Sequence, residues 1–193
     1  MKKLLPLIAL SLTCVTAAAQ PTSFGGITPG QTTREELKSL VKNPGEVGTK
    51  DYAFSLRLKQ PDGQNISVDL HNDIVYAVKV GLDSFSGPSA ELKPALIEKY
   101  GQPRIKVGGI RTVTCRNKLG ASFERLEGEE ELKWPVKDGV QGAIRRWAGD
   151  CAEYTYQDYW LRHVATVQAI ETARLERRRK EAEEKRNKLG NAY

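Results

Sequence analysis

The clearest signal along the chain is a strict alternation of apolar and other positions. Tyr52, Phe54, Leu56 and Leu58 alternate with Ala53, Ser55, Arg57 and Lys59. Ile66, Val68 and Leu70 continue the pattern, and Ile74, Tyr76, Val78 and Val80 repeat it. Pro61-Asp62-Gly63 and His71-Asn72-Asp73 supply turns between these runs. Three strands with tight connections and one apolar face predict an antiparallel meander. Ahead of it, Thr33 followed by Glu36 is a capping box, and Leu37, Leu40 and Val41 share one helical face. Asn43-Pro44-Gly45 ends that short helix.

A second helix is predicted over residues 89–100, with Leu92, Leu96, Lys99 and Tyr100 on one side and Gly101 as its C-terminal cap. Pro94 places the start of its regular part close to that residue. A less regular run of strands follows: Val113 with Cys115, residues 121–126, then Leu132, Trp134 and Val136, then 140–147 and 152–160. Residues 117–120, 127–130 and 138–139 read as turns. The acidic run Glu127-Gly128-Glu129-Glu130-Glu131 fits an exposed hairpin turn. From Trp160 the period changes to a helical one reaching Leu189.

The pattern therefore predicts an α+β fold: two tandem helix-then-antiparallel-sheet units packed together, followed by a long C-terminal helix. The divisions are 1–19, 20–84 for a first α-β-β-β unit, 85–160 for a second α-β unit with a disulfide, and 161–193 for a charged helical tail. Units of this size have marginal cores alone, so a shared core or a continuous sheet is expected.

Residues 1–19 carry Lys2 and Lys3, an apolar run through Val15, and Ala17-Ala18-Ala19 before Gln20. That is the layout of a cleavable secretory signal peptide. Ser11-Leu12-Thr13 before Cys14 do not make a lipobox, so lipidation is not expected. The expected location is the periplasm or the exterior. Cys115 and Cys151 then remain, and in an oxidising compartment they pair, worth roughly 3–4 kcal/mol by chain-entropy reasoning.

The formal charge of +6 is uneven. Residues 20–160 hold nineteen basic and nineteen acidic side chains, whereas 161–193 hold nine and five. A neutral body argues against nucleic acid as a partner. In the tail, Glu176–Lys180, Glu181–Lys185 and Glu184–Lys188 have ion-pair spacing. Leu161, Gln168, Leu175, Ala182 and Leu189 recur every seven residues, but Val164, Glu171, Arg178 and Lys185 make a polar companion seam. A two-stranded coiled coil is poorly supported. The tail reads first as a solvated single helix, next as a partner-binding helix, and last as a contact for anionic lipid.

Catalytic and metal-binding patterns are not apparent. His71 and His163 lack companions at metal spacing, and the serines lack a nucleophile-elbow frame. Gly25-Gly26 and Gly108-Gly109 do not extend into a phosphate-binding motif. No catalytic residue, metal or cofactor is expected. Binding is favoured instead by the aromatics between Trp134 and Trp160, which include all three tryptophans and Tyr154, Tyr156 and Tyr159. In the last strand Tyr154, Tyr156 and Trp160 share the more apolar face, and filling a core is their first reading. Cys151, Glu153, Thr155, Gln157 and Tyr159 share the other. Trp134, Trp147 and Tyr159, with Arg145 and Arg146, are the candidate binding contacts.

Gly26-Ile27-Thr28-Pro29-Gly30-Gln31-Thr32, followed by Leu37, Leu40 and Pro44, resembles the opening of SmpA/OmlA-type envelope domains and the related β-lactamase-inhibitor-protein-like fold. Lys99-Tyr100-Gly101-Gln102-Pro103 is similar to the matching helix end of a second copy. The resemblance implies a non-catalytic protein-binding scaffold of the bacterial envelope with an envelope protein as partner. An inhibitor or immunity protein acting on an envelope hydrolase is the alternative within that architecture. A small periplasmic enzyme is the alternative outside it, and a polar pocket gathering carboxylates around His71 would favour it.

Overall fold

A computed structural model describes residues 19–59, 63–82, 88–149, 151 and 155–190. Nearly all of the expected signal segment, including Cys14, lies outside the described residues, as do Pro61, Asp62 and Tyr154. Thr33 caps α1 (Arg34–Leu40) through a complete capping box. The Thr33 backbone N–H donates to Glu36 at 2.8 Å and holds its carboxyl below the usual carboxylate range. A 3-10 turn, Pro44–Glu46, follows. The meander forms as β1 (Ala53–Arg57), β2 (Asn65–His71) and β3 (Ile74–Gly81). Next come α2 (Pro88–Tyr100), β4 (Ile105–Arg116), β5 (Ser122–Lys133), β6 (Val140–Ala148), β7 (Thr155–His163) and α3 (Val164–Gly190).

The two tandem units are not found. Among the described residues, seven strands form one antiparallel sheet in the order β1-β2-β3-β7-β6-β5-β4. The last strand lies between the two meanders, with Val80 opposite Tyr159 and Val78 opposite Leu161 on one flank. On the other flank, Tyr159 faces Ile144 and Leu161 faces Gly142. The overlooked contact is long-range. Alternation tells which side of a strand is apolar, but not which distant strand will lie beside it.

Further corrections are local. Helix α2 begins at Pro88 and carries Pro94 inside it. It ends where expected, at Gly101, with φ +73° and its N–H bonded to Ile97 O at 2.8 Å. Residues 160–163 belong to β7, so the tail helix starts only at Val164. The run read as an acidic turn, Glu127 to Glu131, is the middle of one long strand, β5. Cations on adjoining strands compensate the charge: Glu127 meets Arg111 at 3.3 Å, Glu130 meets Lys106 at 2.5 Å, and Glu129 meets Arg145 at 3.5 Å.

The core lies on one side of the sheet. Leu37 of α1, Leu92, Leu96 and Tyr100 of α2, and Phe24 and Ile27 of the N-terminal segment cover that side. An aromatic chain runs through it. Phe24 to Tyr159, Tyr159 to Trp134 and Trp134 to Tyr100 are edge-on contacts with centroids at 5.9, 6.2 and 6.3 Å. Trp134 Nε1–H donates to Gly101 O at 2.9 Å, fixing the end of α2 to the sheet. Buried Arg34 fixes α1 through Asp73 at 2.6 Å, Asp51 at 2.5 Å and the carbonyls of Gly48 and Lys50.

Before Gly128, β5 pairs with β4 alone, so Ile110 to Arg116 and Ser122 to Glu127 form a two-stranded arm. Its root is a glycine crossing. A Cβ on Gly108 or Gly128 would come within 2.3 or 2.4 Å of a carbonyl oxygen of the facing strand. The expected disulfide is present: buried Cys115 in the arm is bridged to exposed Cys151, with Cα atoms 5.7 Å apart.

Tyr159 gives a test of this core. Burial pushes its phenol pKa well up, with a smaller contribution from Tyr100, and its hydroxyl has no hydrogen-bond partner. Tyr159→Phe removes an unsatisfied polar atom while preserving shape, and is expected to raise stability by about 1 kcal/mol. Tyr159→Ala is expected to lower it by about 3–5 kcal/mol. Urea denaturation of the three proteins measures both.

Candidate binding face

The sheet's other side carries no helix among the described residues except the base of α3. Register puts Arg145 opposite Asp158, Trp147 opposite Tyr156 and Ala143 opposite Trp160, all on this side. Lys133, Glu131 and Glu129 of β5 join them across β6. Arg145 is the organising residue. It grips Asp158 twice, Nε to Oδ1 at 3.2 Å and Nη2 to Oδ2 at 2.6 Å. It also donates to the Tyr156 hydroxyl at 2.9 Å. The bond to Asp158 is the main reason the Arg145 pKa lies above its usual value. Asp158 is 1 % exposed. Trp147 packs against Tyr156 at 5.5 Å, and both are half-buried.

Trp160 lies lower in the same face, with the Arg162 guanidinium 4.1 Å and the Lys133 ammonium 5.8 Å from its ring centroid. These three residues and Gln141 face Val164, Val167, Gln168 and Glu171 of α3 across a cleft of about 170 Å³. Toward β2 the face becomes small and polar. Asp69 is half-buried there, and burial raises its pKa despite the opposing charges of Lys79 and Arg162. The neighbouring Tyr76 phenol is raised by burial and by Asp69.

The proposed contacts separate in space. Trp147 and Arg145 come together on the uncovered face. Trp134 and Tyr159 are each 1 % exposed and belong to the core, where they touch the fold's own side chains. Arg146 points to the helix-covered side with Gln157, and its Nε is buried without a partner. The face assignment of the last strand is reversed relative to the expectation for Tyr159, which faces the main core; Tyr156 and Trp160 take the other side, where Tyr156 is half-buried and Trp160 is still buried, at 3 % exposure, beside the base of α3. Composition had made Tyr156 and Trp160 look like the core set. The pairing of Tyr159 with Val80 and Ile144 decides otherwise.

Tyr156, Asp158, Trp160 and Arg162 were not among the residues proposed. They form one period-two set, and that spacing was the available signal for them. His71 is exposed at the end of β2. Among the described residues, no three His, Cys, Asp or Glu side chains are grouped to hold a metal ion. No described helix is long and apolar enough to cross a membrane. This is an α+β architecture whose single sheet is helix-covered on one side and aromatic and ionic on the other. No family model, curated protein or solved structure matches the chain.

Two outcomes follow for stability. Arg145→Ala leaves Asp158 buried and unpaired and is expected to cost about 3–5 kcal/mol, measurable by urea denaturation. Burial raises the folded-state pKa of Asp69, so it opposes folding increasingly as pH rises above its unfolded value of about 4, fully so above the folded value, and it is neutral in both states well below about pH 4. Asp69→Asn is therefore expected to raise Tm at pH 7, with the gain shrinking as thermal melts are taken toward pH 3.

Proposed function

We propose that the chain is a non-catalytic binding module of the bacterial envelope, which holds a protein partner against the uncovered face of its sheet. The observation that supports this most is the strip of Arg145, Trp147 and Tyr156. Aromatic and arginine side chains dominate interface energetics, and these are already held in place by one another and by Asp158. A partner docking here has little side-chain entropy left to remove. Export to the periplasm or exterior agrees with the layout of residues 1–19 and with the Cys115–Cys151 bridge. Kinship with SmpA/OmlA-type domains is part of the same proposal, resting on the residue 26–44 stretch.

One feature favours the inhibitor reading. The arm ends in a loop braced by Asn117, whose Oδ1 accepts from Leu119 and Ala121 N–H groups, both at 2.9 Å. Leu119 at its tip is 93 % exposed. A firm hairpin with an apolar tip suits insertion into a cleft.

The test is capture from envelope extract with the mature chain, with Trp147→Ala, with Leu119→Ser, and with a chain truncated at Arg174. A specific prey that disappears with Trp147→Ala and persists after truncation is expected. Loss with Leu119→Ser alone, accompanied by inhibition of a hydrolase in the extract, moves the role to the arm. Turnover of a small molecule without any prey abandons the binding reading.

A further inference from the structure

The two outer strands of the sheet are guarded differently. β1 has five residues, and residues 40–42 lie along the end of its outer side. There Lys42 N–H donates to Arg57 O at 2.8 Å and Lys59 N–H donates to Leu40 O at 2.9 Å. β4 has twelve residues and pairs with β5 on one side. Among the described residues, no backbone group pairs with its other side. An open strand of that length is a template for another strand.

The hairpin turn of the arm fixes which groups point outward. Asn117 N–H donates to Ala121 O at 3.0 Å, and Gly120, with φ +85°, completes the turn. Backbone groups alternate along an antiparallel pair. Cys115, Val113 and Arg111 therefore direct theirs at β5, and Arg116, Thr114 and Thr112 direct theirs at the open side. Those last three residues are exposed. The charge along this stretch is one-sided: residues 102–118 contain five cations and no acid. Lys106 and Arg111 reach carboxylates of β5. Exposed Arg116 and Lys118 form no ion pair among the described residues.

We propose that the open edge of the arm, from Thr112 to Arg116, takes an extended acidic segment of a partner protein as an additional strand. This rests on the binding-module reading and names a second contact of the same module. Unpaired main-chain donors and acceptors in register select an extended chain over a helix or a membrane surface. The cations then select its charge. A second copy of β4 on this edge would add cations to cations, whereas carboxylates on an incoming strand complement them. The edge is also preformed. The Cys115–Cys151 bridge ties the arm to the connection after β6, which leaves little of it to be ordered on binding. From Thr112 to Arg116 it spans about 17 Å.

The experiment uses the whole mature chain and a fluorescent peptide of alternating Glu and Val, with alternating Lys and Val for comparison. Anisotropy gives the affinities, and amide exchange followed by NMR reports on the edge itself. The acidic peptide is expected to bind about tenfold or more tighter than the basic one, and to protect the Thr112 and Thr114 amides. Thr112→Pro removes an outward N–H and is expected to lower affinity about tenfold or more, whereas Thr112→Ala keeps it and changes affinity about twofold or less. Arg116→Glu with Lys118→Glu is expected to lower affinity about threefold or more. Circular dichroism and an intact bridge establish that the proline variant is folded; if it is not, amide protection and the charge variant decide. No binding, equal binding of the two peptides, or binding that leaves Thr112 and Thr114 unprotected overturns the proposal. Self-association that protects the same amides overturns it in favour of a second copy. If the Trp147-dependent prey survives such a failure, the binding-module reading stands and only the strand addition falls.

Discussion

The insertion of the last strand between two meanders is the constraint on which the rest depends. β3 has only β2 beside it until β7 arrives, and β6 has only β5. An open strand edge inside a fold this size leaves a row of unpaired backbone groups and an uncovered apolar face. β7 closes both at once, and Tyr159 in its middle touches the N-terminal segment through Phe24 and the end of α2 through Trp134. The sheet, both core helices and the N-terminal segment are therefore coupled through one strand. β3 and β6 acquire their second neighbour only when residues 155–163 are in place. The topology is of high contact order, because its central pairings are distant in sequence.

That strand also creates the binding face. Placing Tyr159 and Leu161 inward forces Tyr156, Asp158, Trp160 and Arg162 outward, since successive side chains alternate. Asp158 would be an isolated buried carboxylate without Arg145, which β6 brings directly opposite it. The pair thus follows from register, and the half-buried aromatic strip is built around it. The charges of β5 obey the same logic. Its glutamates are tolerated in a strand because β4 and β6 supply Lys106, Arg111 and Arg145 across from them.

Much of the local architecture was legible in the residues. The capping box at Thr33, the meander from Ala53 to Gly81, the cap at Gly101 and the pairing of Cys115 with Cys151 all rest on chemistry that acts within a few residues or on simple elimination. The candidate site was only partly legible. Trp147 and Arg145 occupy the uncovered face, but Trp134 and Tyr159 are core, because aromatic content does not say which side of a sheet a residue takes. Glu127 to Glu131 looked like a turn because their compensating cations lie on strands elsewhere in the sequence. The tail pairs spaced for salt bridges stay open, since exposed long side chains gain little from closing them.

By itself, the sequence determined the periods of its helices and strands, the apolar side of the first meander, the neutrality of the body and the cationic excess of the tail. These are properties of neighbouring residues and of composition. Only the tertiary structure decided that there is one sheet instead of two units, that Tyr159 faces inward, and that Arg145 meets Asp158. Each of those depends on which distant strands lie side by side and in what register, and a one-residue shift in register exchanges the buried set for the exposed one.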